Sequence, residues 1–221
     1  ELEQFFLQYD IPKFKVSQVR DWVWKHHKSN FDSMTNLSLK ERALLKDHFY
    51  IKQTQILKES TSKDGTVKFL FQLEEAKVIE GVLIPQLNRL TACISSQAGC
   101  SLACDFCATG KMKLFRNLTA GEIYDQVFLI NKFCMHQFNK PITNIVFMGM
   151  GEPLLNVKNV LKAIYYITNK SGLNMSGKRI TVSTVGITKI IRYIADMNPN
   201  FNLAISLHAA TDKKKKSNNG H

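Results

Sequence analysis

The 221-residue sequence contains no run approaching the roughly 18 apolar residues that a membrane-spanning helix needs. No charged-then-apolar leader opens it either, so neither a membrane partner nor a secretory route is expected. The chain begins at Glu1 rather than Met, which leaves room for a trimmed targeting segment. Five cysteines, an odd number with three crowded together, do not make a secreted disulfide framework. A reducing compartment follows: the cytoplasm, or an organelle if a targeting segment was removed. Acid is missing altogether between Glu152 and Asp196, and no cysteine follows Cys134.

What is present is ordinary globular material. An apolar share of 44% beside 22% charged residues is enough to build a core and excludes general disorder. The net charge of +12 is unevenly placed, because the first 50 residues hold 8 Lys/Arg against 7 Asp/Glu. The excess lies later, where Lys158, Lys162, Lys170, Lys178, Arg179, Lys189 and Arg192 occupy the acid-free stretch. Such a field attracts polyanions, of which nucleic acid is the commonest large one. A solvated surface with no partner explains the charge equally well.

The chain divides by period. Residues 1–50 read as a small helical accessory domain, with Phe14, Val16, Val19, Val23, Leu44 and Leu45 at roughly helical intervals. Ser38 followed by Glu41 marks a helix start there. Residues 51–88 form a small β extension. Val67, Phe69 and Phe71 alternate after the Asp64-Gly65 turn signal, and a second run from Val78 to Ile84 closes at Pro85. Alternation places Glu80 with Val78, Val82 and Ile84, either as an edge-strand device or as a group held for proton chemistry.

From residue 89 to 212 strands and helices alternate. The expected strands are Leu90–Ser96, Ile142–Met148, Arg179–Thr184 and Phe201–Leu207; the expected helices are Thr119 or Ala120 to Phe138, Val157–Asn169 and Ile187–Met197. This order predicts an α/β fold with a parallel sheet, flat or curved into a barrel, and ligand sites at the carboxyl ends of its strands. Residues 213–221 are a basic low-complexity tail, expected to be disordered.

The chemistry-bearing residues fall at those strand ends. Cys100, Cys104 and Cys107 lie inside eight residues after the first core strand, and three thiolates at that spacing can wrap one inorganic centre. Gly149-Met150-Gly151-Glu152-Pro153 follows the second strand, Ser183-Thr184-Val185-Gly186 the third and Ser206-Leu207-His208 the fourth. Taken singly, Gly151 and Glu152 suit a strand-end turn, Ser183 a helix cap and His208 a core histidine. Convergence on one mouth favours a binding site.

Cys-x-x-x-Cys-x-aromatic-Cys with a later Gly-Glu-Pro resembles the radical S-adenosylmethionine (SAM) superfamily. Within it, the segments Ser95–Cys100, Cys107–Gly110, Arg116–Ile123, Phe147–Leu154 and Ala204–Ala209 are similar to the RNA adenine-C2 methyltransferases, from about Ile11 to about Asp212. The resemblance implies a partial radical-SAM (βα) barrel with four strands present. It also implies a 4Fe-4S cluster held by Cys100, Cys104 and Cys107, with SAM chelating the iron that has no protein ligand. Electron transfer then cleaves SAM to a radical able to act on an electron-poor ring carbon. Phe106, Gly151, Glu152, Ser183, Ser206, Leu207 and His208 are the implied cofactor contacts. Glu80 is the implied acceptor of the adenine C2 proton, and Cys93 the partner of the methyl-carrying cysteine. The implied substrates are ribosomal RNA and, in bacteria, transfer RNA, with an electron donor such as flavodoxin or ferredoxin. Cys134 has no counterpart and reads as a small buried hydrophobe.

The family's methyl carrier is a cysteine near the carboxyl terminus, and its barrel continues beyond a fourth strand. This sequence has neither, so the chain alone is expected not to complete methyl transfer, and its open strand edge to lower solubility. Three other readings stand beside this one: a zinc module, which would need a fourth ligand from Cys93, Cys134 or a histidine; a catalytically silent RNA-binding fragment; and the sister family that methylates C8, which Pro153 disfavours.

Overall fold

The computed structural model describes residues 2–102, 104, 105 and 107–207, so Phe106, His208 and the 213–221 tail lie outside the described residues. The chain forms two compact units, residues 1–53 with 166–175, and residues 54–165 with 176–221.

The first unit is helical: α1 (Leu2–Gln8), α2 (Phe14–Arg20) running into one π-helical turn over Asp21–Lys25, and α3 (Leu39–His48). Its core is Phe6, Val16, Val19, Phe31, Met34, Leu37 and Leu45. Ser38 and Glu41 form the expected capping box on α3, each side chain bonding the other's backbone N–H. Trp24 stacks on Tyr166, with ring centroids 3.8 Å apart.

The second unit is built on a seven-stranded sheet. Its strands are β1 (Gln55–Thr61), β2 (Val67–Gln72), β3 (Val78–Gln86), β4 (Arg89–Cys93), β7 (Asn144–Phe147), β8 (Ile180–Thr184) and β9 (Asn202–Ile205), hydrogen-bonded in that order. A separate ribbon pairs β5 (Gln97–Ala98) with β6 (Arg116–Asn117). Strands β1 to β4 are antiparallel, and β4, β7, β8 and β9 are parallel. The small β extension and the α/β core therefore share one sheet, with β4 common to both. Helices α4 (Ala120–Phe138), α5 (Val157–Thr168) and α6 (Thr188–Asp196) are the crossovers between the parallel strands.

α4 starts on a Thr119–Glu122 capping box and stops at Asn139 in the left-handed region. Between these caps Ile123, Val127, Ile130 and Cys134 recur at helical spacing and are fully buried. Arg116 binds both oxygens of Glu122 and both of Glu75 at 2.7 to 3.0 Å, fastening the ribbon to the start of α4 and to the β2–β3 turn. Burial pushes the Glu122 carboxyl up, but Arg116 and the Thr119 N–H outweigh it and hold the group below its ordinary range.

On β3 the buried face is Ile79, Gly81 and Leu83. The Glu80 face is the opposite one: Val78 is exposed, Val82 and Ile84 are half-buried, and the Glu80 carboxylate reaches Lys68 Nζ on β2 at 3.2 Å. The apolar residues around Glu80 therefore do not enclose it, although alternation alone suggests that they would.

Candidate functional site

After β4 the chain leaves the ladder, and side chains join backbone groups such as the Met150 carbonyl, which accepts from the Ser96 and Gln97 N–H, in holding it. Ser95, Ser96 and Gln97 are all buried. The Gln126 amide accepts from Ser95 N–H at 2.8 Å and donates back to Ser95 C=O at 3.1 Å. Ser95 Oγ donates to the Glu80 carbonyl at 2.6 Å and accepts from Met150 N–H at 2.8 Å. Asn156 Nδ2 donates to the carbonyls of Ser96 and Leu118, both at 2.8 Å. Ser95 and Ser96, which lie in no paired strand, can stay buried because each of these groups has a partner.

This segment leads into the cysteine loop through Gly99. Gly99 has φ +80°, and a Cβ there would lie 2.2 Å from the Lys113 carbonyl oxygen, so only glycine fits. Cys100, Cys104 and Cys107 are free thiols. All three line a cavity of about 390 Å³. Among the described residues no three His, Cys, Asp or Glu side chains close around a single ion position. Burial pushes the Cys100 and Cys104 thiols above their ordinary range, with neighbouring thiols and Glu152 adding to the effect. A bound cationic centre reverses that preference, because it stabilises the thiolate directly.

The remaining walls come from the ends of β7, β8 and β9: Phe147 to Gly149 with Gly151 to Pro153, Ser183 to Val185, and Ala204 to Ser206. Glu152 is only 4% exposed. Its Oε1 accepts from Leu154 N–H and its Oε2 from Val185 N–H, both at 3.0 Å, so one carboxylate ties two strand-end loops together. The hydroxyls of Ser183 and Ser206 stand 3.2 Å apart at the neighbouring strand ends.

Of the residues singled out in the sequence, Cys100, Cys104, Cys107, Gly151, Glu152, Ser183 and Ser206 share this cavity. Leu207 is 67% exposed and is not among its lining residues, nor are Glu80 and Cys93. Cys93 is half-buried on β4, and burial pushes its thiol up. The backbone of Glu80 is nevertheless wired to the site, through Ser95 Oγ and through its own N–H to Met150 Sδ at 3.4 Å. Gln126, Asn156 and Gln97 are functional-site residues that no spacing or residue type in the sequence singles out. Only Gln97 stands in a motif, three residues before Cys100. Lys158, Lys162, Lys170, Lys178, Arg179, Lys189 and Arg192 are each exposed.

A parallel α/β sheet with a three-cysteine loop after its first parallel strand, opening on a cavity at the strand ends, defines a class of cofactor-binding enzyme. Residues 94–221 match the model of the radical SAM superfamily, and the chain belongs to that superfamily. Its residues 1–51 match the ribosomal RNA large subunit methyltransferase N-terminal domain. It is 51% identical over 215 residues to a protein of Cytophaga hutchinsonii described as "Probable dual-specificity RNA methyltransferase RlmN", covering 97% of this chain and 59% of that protein. A protein of Thermotoga maritima with the same description is 46% identical over 206 residues, covering 93% and 59%. The crystal structure of a radical SAM methyltransferase from Sphaerobacter thermophilus superposes with a TM-score of 0.87 at 35% identity, covering 100% of this chain and 64% of that one. The chain thus spans about 60% of the length of these curated relatives.

Membership implies a 4Fe-4S cluster and SAM. The residues present fit both. Three free thiols face one cavity, and the cavity lies within the usual size range of small-molecule sites, roughly 300–1,000 Å³. Its opposite loops carry a buried carboxylate and two hydroxyls. Among the described residues no helix is long and apolar enough to cross a membrane.

Proposed function

We propose that the chain supplies the radical-generating site of an RNA methyltransferase that acts on C2 of adenine in ribosomal RNA and in transfer RNA. The observation that carries this reading is the single cavity shared by three free cysteines and the β7, β8 and β9 strand ends. Cys100, Cys104 and Cys107 would hold the cluster, which when bound supplies an electron to the SAM sulfonium. Gly151 and Glu152 would receive the methionyl ammonium. Each Glu152 oxygen accepts one backbone N–H and has a further lone pair to offer. Ser183 and Ser206 add hydroxyl partners on the facing strand ends. The roles of Phe106, Leu207 and His208 as cofactor contacts rest on the resemblance, as do those of Glu80 as base and Cys93 as disulfide partner. The exposed lysines and arginines of the acid-free stretch would meet the RNA phosphates. An electron donor of the flavodoxin or ferredoxin type and a cytoplasmic location complete the reading.

No cysteine follows Cys134 among these 221 residues. The chain is therefore expected to load a cluster and bind SAM while transferring no methyl group to RNA. Anaerobic reconstitution followed by iron, sulfide and zinc analysis tests the site. The expected result is a cluster in the wild-type protein and its loss in Cys104→Ala. Zinc at one equivalent without iron or sulfide would overturn the reading.

A further inference from the structure

One polar chain in the second unit has no part in the roles above. Gln97 Nε2 donates to Asn117 Oδ1 at 2.7 Å, and Glu152 N–H donates to Gln97 Oε1 at 2.8 Å. The direction is fixed by chemistry. A backbone N–H only donates, so the Gln97 oxygen faces Glu152, its nitrogen faces Asn117, and Asn117 must present its own oxygen. Gln97 is 1% exposed, and its side chain occupies space that only a glycine at 151 leaves open. Gly151 has φ +92°, and a Cβ there would lie 2.4 Å from Gln97 Cβ.

The amide thus stands between two loops. On one side β5, which contains Gln97, pairs with β6, which contains Asn117, and runs through Gly99 into Cys100. On the other side Glu152 passes the connection to Val185 at the end of β8. We infer that Gln97 is a positioning residue that sets the spacing between the cysteine loop and the Gly151–Glu152 loop, and thereby how SAM lies against the cluster. The inference rests on the functional reading above and adds a residue that is not among those lining the cavity.

The test compares wild type with Gln97→Leu, Asn117→Ala and Asn117→Asp after anaerobic reconstitution. Iron and sulfide per chain, SAM affinity by equilibrium dialysis, and the electron paramagnetic resonance signal of the reduced cluster with and without SAM are measured. Gln97→Leu is expected to keep its iron and sulfide, to bind SAM about tenfold more weakly or worse, and to show an altered SAM-induced change in the signal. Asn117→Ala moves the same readouts in the same direction. Asn117→Asp, which keeps an acceptor for Gln97, restores them.

Wild-type SAM affinity and signal in Gln97→Leu would overturn the inference alone. So would loss of iron in both Gln97→Leu and Asn117→Ala, which would make the chain a support of loop folding. Asn117 is exposed, so should Gln97→Leu fail to fold, the Asn117 pair decides, and identical behaviour of its two members overturns the inference. A wild-type protein that takes up no iron overturns the functional reading, and the inference with it.

Discussion

Replacing Gln126 by Leu keeps the side-chain bulk at a position that is 0% exposed while removing all its polar contacts. The amide bonds Ser95 N–H at 2.8 Å, Ser95 C=O at 3.1 Å and Glu122 C=O at 3.1 Å. The Glu122 carbonyl retains its partner within α4. Ser95 does not, because β4 ends at Cys93 and no strand pairs with the chain at residue 95. Two buried backbone groups are left unsatisfied at about 1–3 kcal/mol each, so the variant loses roughly 2–6 kcal/mol. That is a large share of the 5–15 kcal/mol or so that holds a typical domain folded. Urea unfolding followed by circular dichroism reads it directly: at a slope of about 2 kcal/mol/M, the midpoint falls by roughly 1–3 M. Hydrogen exchange at the Ser95 amide locates the loss, and that amide should exchange faster even well below the midpoint. An unchanged midpoint together with an unchanged Ser95 exchange rate would refute the argument that Gln126 substitutes for a missing strand.

Gly151→Ala places a methyl group 2.4 Å from Gln97 Cβ on a backbone at φ +92°, and is expected to cost about 2 kcal/mol or more and abolish SAM binding; retention of SAM affinity in dialysis would contradict this. Burial pushes the Cys134 thiol up to about 11, so the folded state holds its proton over a range where the unfolded chain releases it. The associated stability is complete below the ordinary thiol range and is lost at about 1.4 kcal/mol per pH unit as pH rises from about 9 towards 11. Urea midpoints of the metal-free protein should therefore fall more steeply across that window than those of Cys134→Ala; parallel slopes would count against the shift. Glu80→Gln removes a 3.2 Å pair with Lys68 in which both side chains are about half exposed, so its thermal stability should match wild type within about 0.5 kcal/mol. A large drop in its melting temperature would show that Glu80 has a structural part the exposed pair does not explain.

The extent of α4 is legible because its limits are written locally: Thr119 and Glu122 cap one end, the apolar residues recur every three or four positions, and expected and observed helices both end at Phe138. The strand-end motifs are legible for a related reason, since alternation of strands and helices predicts where their loops gather. Glu80 shows the limit of pattern. Both faces of β3 carry aliphatic residues, and only the packing of Ile79, Gly81 and Leu83 decides which face is inside. The hydrogen bonds of Gln126 and Asn156 beneath the cavity left no sequence trace. Gln126 meets a backbone 31 residues away and Asn156 one 60 residues away, and a single amide at such separation has no period to betray it. For the same reason residues 166–175 join the first unit although nothing local distinguishes them from the α/β core.

Strand β4 belongs to two kinds of neighbourhood at once, and this bears on how the second unit acquires its shape. Towards β1 its neighbours arrive through turns of a few residues, as β3 ends at Gln86 and β4 begins at Arg89. Towards β9 the next strand is reached only after the chain has travelled from Cys93 to Asn144. Closing short loops loses little chain entropy, and contacts between distant residues form slowly. The antiparallel meander is thus the natural first structure, offering β4 as a template on which the parallel strands add one after another. On that order the cysteine loop, anchored just past the template, would take its place before the walls that face it have formed.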